Sequence, residues 1–310
     1  MRVIPVLAQL LSLFSDPNVR WVVGGTFFLG FSAGIVGSFA LLRRQALLGD
    51  AMSHAALPGV ALAFLFLLRK ESMAILVGAS ITAGLAAYLS VRLPRWTRVK
   101  PETALAIVLT TFFGFGTVLL TVVAKTQSAG QSGLDSFLFG QAASLVWRDV
   151  QVMGAVAFLI VLAIFAFFPA WKLWAFDPLY ARTLHYPVRA MDIFFTLLLT
   201  FTVAVGLEAV GVVLMSALLI TPPLTARLLT DRLETMVILA GGIGGFSGVV
   251  GTLLSTTYPR FPTGPLVVLT ASFWFVLAWF FAPKRGLVSR VFRKRYAASV
   301  QHDNTGSFVP

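Results

Sequence analysis

The sequence predicts an all-α membrane protein, a polytopic bundle of about nine transmembrane helices. Of the 310 residues, 58% are hydrophobic and only 12% are charged, against roughly 25% charged residues in a soluble domain. Apolar runs long enough to cross a bilayer recur from Trp21 to Ala282, and basic residues gather in the short connections between them. Because these runs take up nearly the whole chain, no length remains for a sizeable soluble domain.

The net charge and the amino-acid composition exclude several classes of function. The net charge of +12 fits anionic lipid headgroups beside the membrane and not a nucleic-acid partner. The chain has no cysteine, which excludes thiol catalysis and leaves imidazole and carboxylate groups as metal ligands. It also has no Gly-x-x-x-x-Gly-Lys-Ser/Thr phosphate loop and no His-Glu-x-x-His motif. We therefore expect a transport subunit and not an enzyme, with no ATP bound by this chain itself.

The predicted spans are 20–42, 46–68, 73–91, 102–124, 150–168, 191–208, 211–229, 236–256 and 265–283. An alternative makes 191–208 and 211–229 one long span with a shorter inserted helix. Residues 1–19 are predicted as an N-terminal interfacial segment. Residues 20–283 form the transmembrane domain, and 284–310 form a basic cytoplasmic tail with a disordered end.

Lysine and arginine set the predicted orientation. Six basic residues follow Pro283, and four lie between Arg92 and Lys100. Since positive residues concentrate on the cytoplasmic side, both regions are placed inside. Nine spans then give an external N-terminus and a cytoplasmic C-terminus.

Glycines recur at close-packing spacings, in the pair Gly30 and Gly34 and again from Gly241 to Gly251. Small residues at this spacing let helix backbones approach closely. We interpret both patterns as tight packing inside the bundle, in preference to a dimerisation code.

Asp50 and His54 are the main candidate site. They lie inside an apolar segment, where a charge costs roughly 3 kcal/mol, and a spacing of four places both on one helix face. The alternative is a helix-start aspartate with a hydrogen-bonded histidine. Pro58 favours the ligand hypothesis because it cannot donate to the His54 carbonyl, which then lacks its helical partner. Carboxylate, imidazole and an open carbonyl suit a divalent transition metal.

Three other polar positions carry less weight. Glu208 is the one acidic residue of its apolar stretch, and it is predicted near the outer end of its span, as an interface residue or a further metal ligand at an outer gate. His185 is predicted on the surface of an inner loop and His302 in the polar tail, and neither is predicted as a ligand.

Residues 221–234 form a broken, then amphipathic, segment. Pro222 and Pro223 are predicted to stop one helix, and Thr225 to Glu234 are predicted to form a short second one. This segment is either an interfacial turn or a docking helix for a cytoplasmic partner. The candidate docking residues are Thr225, Arg227, Leu228, Asp231 and Arg232.

Four segments resemble the permease subunits of zinc/manganese/iron ABC importers, in that family's order. The first runs from Arg43 to Gly59, and the second from Gly211 to Ala226, where Pro223 stands at a position that is more commonly Ala or Gly. The other two are Gly133–Gly140 and Phe176–Arg189. Together they span most of the predicted transmembrane domain.

The resemblance implies the fold of cobalamin- and siderophore-type ABC importer permeases, in a bacterial cell (inner) membrane. It implies cytoplasmic ATP-binding subunits, an extracytoplasmic metal-binding protein, and a second permease copy or a related permease, with the pathway at the interface of the two. Asp50 and His54 match positions associated with the transported Mn, Zn or Fe ion, and residues 221–234 match the segment that couples to the ATPase. No permanently bound cofactor is implied.

Two alternatives stay open. A permease of similar architecture for a metal chelate or cobalamin needs a wider and less acidic path than Asp50 and His54 suggest. A proton-coupled secondary transporter would use Asp50 and Glu208 as proton carriers, and inverted halves with matched broken helices would favour it. The sequence does not distinguish manganese, zinc and iron, because all three accept carboxylate and imidazole ligands.

Overall fold

The computed structural model describes residues 16–67, 72–126, 145–257, 261–283 and 286–287. The regular elements in these ranges are helices, numbered here along the chain: α1 (Pro17–Leu42), α2 (Ala46–Ala55), α3 (Leu57–Leu67), α4 (Ser72–Trp96), α5 (Pro101–Thr126), α6 (Trp147–Ala166), α7 (Phe168–Phe176), α8 (Pro178–Thr183), α9 (Val188–Val210), α10 (Val212–Leu229), α11 (Leu233–Thr257) and α12 (Thr263–Phe281). The first fifteen residues, the C-terminal tail with His302, and the family match at 133–140 lie outside the described residues.

The predicted bundle of about nine spans is confirmed. In the described part of the chain, eight helices are long and apolar enough to cross a membrane, with α2 and α3 counted as one, and α10 adds a shorter apolar helix. Gly211, with a φ of 79°, separates α9 from α10. The first helix begins at Pro17, earlier than predicted, because Asp16 caps it by accepting a hydrogen bond from the Asn18 N–H at 2.9 Å.

Helix α1 forms the centre of the bundle and packs most extensively against α11. In α1, 72% of the apolar stretch is buried, whereas only 17% is buried in α5, which lies at the edge of the bundle. The two glycine patterns face each other in this contact: the Gly30 backbone meets that of Gly244, and the Gly34 backbone meets that of Ala240. The interpretation of the glycines as tight packing inside the bundle is thereby confirmed.

We expect Gly244→Ala to destabilise the bundle, whereas Gly242→Ala in the same helix should not. A Cβ atom on Gly244 would lie 2.9 Å from the carbonyl carbon of Gly30. Backbone cannot move aside as a side-chain tip can, so we expect a loss of about 1–3 kcal/mol in the free energy of unfolding. At Gly242 a Cβ would meet no described atom within 4 Å, and alanine favours helix. Thermal unfolding of the two purified variants checks this, and equal midpoints would contradict it.

The prediction of a helix break at Pro222 and Pro223 is wrong. Helix α10 continues through both prolines to Leu229, residues 230–232 form the connection, and α11 begins at Leu233. The predicted short helix from Thr225 to Glu234 is therefore divided between these three elements. A proline at 223 leaves the Leu219 carbonyl without its helical donor, and that oxygen closely approaches Gly37 of α1. Neighbouring helices make prolines tolerable inside membrane helices in this way.

The predicted inner loop over 169–190 contains two short helices, α7 and α8. Helix α8 begins where Asp177 accepts a hydrogen bond from the Tyr180 N–H at 2.9 Å. His185 follows it with a φ of 62°, and the Tyr186 N–H donates to the Ala181 carbonyl at 3.0 Å, which closes the helix end. His185 is exposed, which confirms its prediction as a surface residue.

Candidate metal site

A tight turn between α1 and α2 sets the direction of α2, the helix that carries the candidate ligands. The Arg44 N–H donates to the Leu41 carbonyl at 3.1 Å, and the Gln45 N–H donates to the Ala40 carbonyl at 2.8 Å. These are the paired bonds of a Schellman helix end, whose left-handed residue is Arg44 with a φ of 57°. Because α2 begins directly after this turn, its direction is set by hydrogen bonds to the last turn of α1.

Asp50 and His54 lie on one face of α2, as their spacing predicts. The Nε2 atom of His54 is 3.7 Å from Oδ1 of Asp50, and the two side chains are 22% and 31% exposed, respectively. This separation is too long for a hydrogen bond. An ion about 2.1 Å from each atom can bridge any separation up to about 4.2 Å. The geometry therefore admits a metal ion between the two side chains.

The His54 imidazole is held by packing and not by hydrogen bonds. The rings of His54 and of Phe113 in α5 pack edge to face, with their centroids 5.0 Å apart and their planes at an angle of 88°. The Nδ1 atom is buried and has no hydrogen-bond partner among the described residues. A buried polar atom without a partner is unusual in a folded protein. The arrangement argues against a histidine that hydrogen bonds hold in place, and it leaves Nε2 as the ring atom that faces Asp50.

The predicted span 46–68 is interrupted at Ala56, two residues before Pro58. Helix α2 ends at Ala55 and α3 begins at Leu57. At the break the Ala56 N–H donates to the Met52 carbonyl at 2.9 Å and also points toward the His54 carbonyl. The open carbonyl stays a prediction, and the site is described here by its two side chains.

The described residues offer two candidate ligands per chain, Asp50 and His54. They hold no group of three or more His, Asp or Glu side chains that could bind a metal. Glu208 lies near the end of α9, but its side chain is outside the described part of the structure, so its role stays a prediction. A transition-metal ion takes about four ligands or more. One chain thus provides about half of a minimal ligand set.

The predicted docking residues surround the end of α10. Arg227 and Leu228 are half-buried in its last turns, whereas Asp231 and Arg232 are exposed in the connection to α11. Thr225 is 1% exposed, and its Oγ1 donates to the Thr221 carbonyl at 2.8 Å. Thr225 therefore supports the helix, and the exposed pair is the part that a partner can reach.

Residues 30–34 also match the Gly-x-Ser-x-Gly motif of hydrolases. Ser32 lies inside α1, is 3% exposed, and donates to the Leu29 carbonyl at 3.0 Å. A nucleophilic serine of that motif stands exposed on a turn between a strand and a helix. The match is therefore part of the helix packing and not a catalytic element.

The sequence did not reveal a polar cluster where α1, α7 and α9 meet. Arg43, Trp174 and Asp192 come together there. Along the chain, Arg43 is 131 residues from Trp174 and 149 residues from Asp192. No local sequence pattern predicts a contact over such separations. The one available signal was the charge of Arg43 beside an apolar run.

Comparison with known proteins assigns the chain to a family of transport proteins. Residues 15–282 match the ABC 3 transport family. The chain is 47% identical over 277 residues to the manganese transport system membrane protein MntC of Bacillus subtilis, covering 89% of this chain and 64% of that protein's length. It is 40% identical over 294 residues to the zinc transport system membrane protein TroC of Treponema pallidum, covering 95% of this chain and 99% of that protein.

A solved structure agrees with these sequence matches. PsaBC from Streptococcus pneumoniae in complex with Fab superposes with a TM-score of 0.81 at 30% identity, and the match covers 93% of this chain and 99% of that chain. The fold and the relatives together define a multi-pass membrane permease. The chain belongs to the ABC 3 transport family.

Proposed function

We propose that this chain is the permease subunit of an ATP-driven importer for a divalent transition metal ion, Mn, Zn or Fe. The observation that carries the proposal is the Asp50 and His54 pair, a carboxylate oxygen and an imidazole nitrogen 3.7 Å apart on one helix face. Such residues inside a membrane span are functional candidates by default. Relatives named for manganese and zinc transport support the same cargo.

The half-complete ligand set argues for two copies around one pathway. A two-fold axis close to α2 would bring together two carboxylates and two imidazoles, which is about the number of ligands that a transition metal takes. The partial exposure of both side chains in the single chain is consistent with a pathway at the subunit interface. Pairing with a related permease would serve the same purpose if that partner carried the same two residues.

The energy source in this proposal is a separate pair of cytoplasmic ATP-binding subunits. The chain has no phosphate loop of its own, so the work of hydrolysis must arrive through a contact. The exposed residues Asp231 and Arg232 at the end of α10, in the segment that resembles the coupling region of the family, are the proposed contact. An extracytoplasmic metal-binding protein would deliver the ion from the other side.

Metal analysis of cells that lack this gene tests the proposed function. Cells are grown with manganese, zinc or iron scarce in turn, and the metal content is compared with that of cells carrying the intact gene or Asp50→Ala. We expect the content of one of the three metals to fall, and the intact gene alone to restore it. A fall in cobalamin or in a chelated metal only would favour the chelate alternative, and unchanged contents would refute the proposal.

A reporter experiment tests the proposed orientation. The basic residues of the tail and of the 92–100 connection support a cytoplasmic C-terminus. We expect a reporter fused after Arg295 to be cytoplasmic and one inserted near Ser128 to be external. Both positions lie outside the described residues. The opposite location at either position would require the spans to be redrawn.

A further inference from the structure

The cluster of Arg43, Trp174 and Asp192 joins three helices through one carboxylate. The Asp192 Oδ1 atom accepts hydrogen bonds from Arg43 Nη2 at 3.2 Å and from Trp174 Nε1 at 2.9 Å. The Arg43 guanidinium also lies over the Trp174 ring, with Cζ 4.5 Å from the ring centroid. Trp174 is fully buried. We call this group the clasp.

One end of the clasp reaches the metal-site helix. Arg43 is the C-terminal cap of α1 and the first residue of the hydrogen-bonded turn that leads into α2. Because the turn is held by backbone bonds to the last turn of α1, a displacement of Arg43 displaces the start of α2. Asp50 and His54 follow within that same short helix.

Helix α7 also contacts α11, next to the proposed docking turn, which is residues 230–232. On α7, Lys172 Nζ is 2.6 Å from Oε1 of Glu234, and Glu234 lies in the first turn of α11, directly after residues 230–232. Helix α7 also contacts α6, since Trp171 Nε1 donates to the Ala163 carbonyl at 3.0 Å. It therefore contacts Glu234, next to the docking turn, on one side and Arg43, in the turn that leads into the metal-site helix, on the other.

We infer that α7, with the clasp on its buried face and the Lys172–Glu234 pair on its exposed face, carries the movement of the docking turn to α2. The inference rests on the proposed function, and it makes Arg43 and Asp192 positioning residues that act through α2 without touching the ion. The clasp holds the start of α2 in register with α7. Without it, movement at residues 230–232 no longer repositions Asp50 and His54.

The test compares ion transport with ATP turnover in the complex reconstituted with its ATP-binding subunits. The probe is whichever of Mn²⁺, Zn²⁺ and Fe²⁺ the unmodified complex transports. For Arg43→Gln and Asp192→Asn we expect ion affinity within about twofold of the unmodified value, and about tenfold more ATP hydrolysed per ion transported. The matched control is Arg189→Gln, an exposed arginine on the same helix as Asp192, which should leave the ratio unchanged. A merely structural role would lower transport and hydrolysis together, and that result would overturn the inference.

A charge exchange keeps the test decisive if the clasp variants do not fold. Lys172→Glu should raise the ATP used per ion, and the double variant Lys172→Glu with Glu234→Lys should restore it, because the two side chains are about half exposed and can exchange places. Failure of the exchange to restore the ratio would overturn the inference. Absence of ion transport by the unmodified complex would instead refute the proposed function, so the two failures are distinguishable.

Discussion

Asp50→Ala and His54→Ala are each expected to abolish metal uptake while the chain remains folded and inserted in the membrane. Loss of a residue that only orients a metal ligand typically costs 10–100-fold in affinity, so loss of the ligand itself should lower uptake by at least about 100-fold. Both side chains are partly exposed, and the two do not hydrogen-bond to each other. Asp50→Ala should therefore change the stability of the fold little, and His54→Ala should cost only the ring contact with Phe113.

Uptake of Mn²⁺, Zn²⁺ and Fe²⁺ by cells with matched expression of each variant measures this effect. The control is His185→Ala, which removes an exposed histidine that follows α8 and should leave uptake normal. If both site variants transport normally, Asp50 and His54 do not lie on the pathway of the ion.

Arg232→Glu is expected to uncouple ATP hydrolysis from transport. Arg232 is exposed in the short connection between α10 and α11, and charges at the rim of a protein interface govern association with the partner. A reversed charge there should lower transport by about tenfold or more at a given rate of hydrolysis. Binding of the ion at Asp50 and His54 should survive, because neither residue changes. Leu228→Gln, which places a polar group on the half-buried face of α10, should act in the same direction.

The measurement is ATP turnover and ion uptake by the reconstituted complex. Arg98→Glu is the matched control, since it makes the same charge change at an exposed position in another connection that is placed inside. Normal coupling in Arg232→Glu, together with uncoupling in Arg182→Glu at the end of α8, would move the docking surface to the 168–187 segment.

The spans and the candidate ligands could be predicted because both depend on short stretches of chain. Length and hydropathy identify a membrane helix whatever its neighbours are. A spacing of four residues places Asp50 and His54 together in any helix. The break at Ala56 was not predicted, although Pro58 removes a helical donor close to it.

The errors arise where a neighbouring helix decides the outcome. Pro222 and Pro223 satisfy the local rule for a helix end, yet α10 continues because the Leu219 carbonyl packs against Gly37 of α1. The clasp was not predicted, since Arg43 finds Asp192 only after α1, α7 and α9 have assembled. The second half of the ligand set was also beyond a single chain's sequence, because it would come from another chain.

The most direct test of the proposed function is ion accumulation by the complete complex in sealed vesicles. The permease is reconstituted with its ATP-binding subunits and its metal-binding protein, and Mn²⁺, Zn²⁺ and Fe²⁺ are supplied one at a time. We predict that at least one of the three accumulates, that accumulation requires ATP, and that Asp50→Ala abolishes it. Accumulation driven by a proton gradient without ATP, or the absence of accumulation for all three ions, would contradict the proposal.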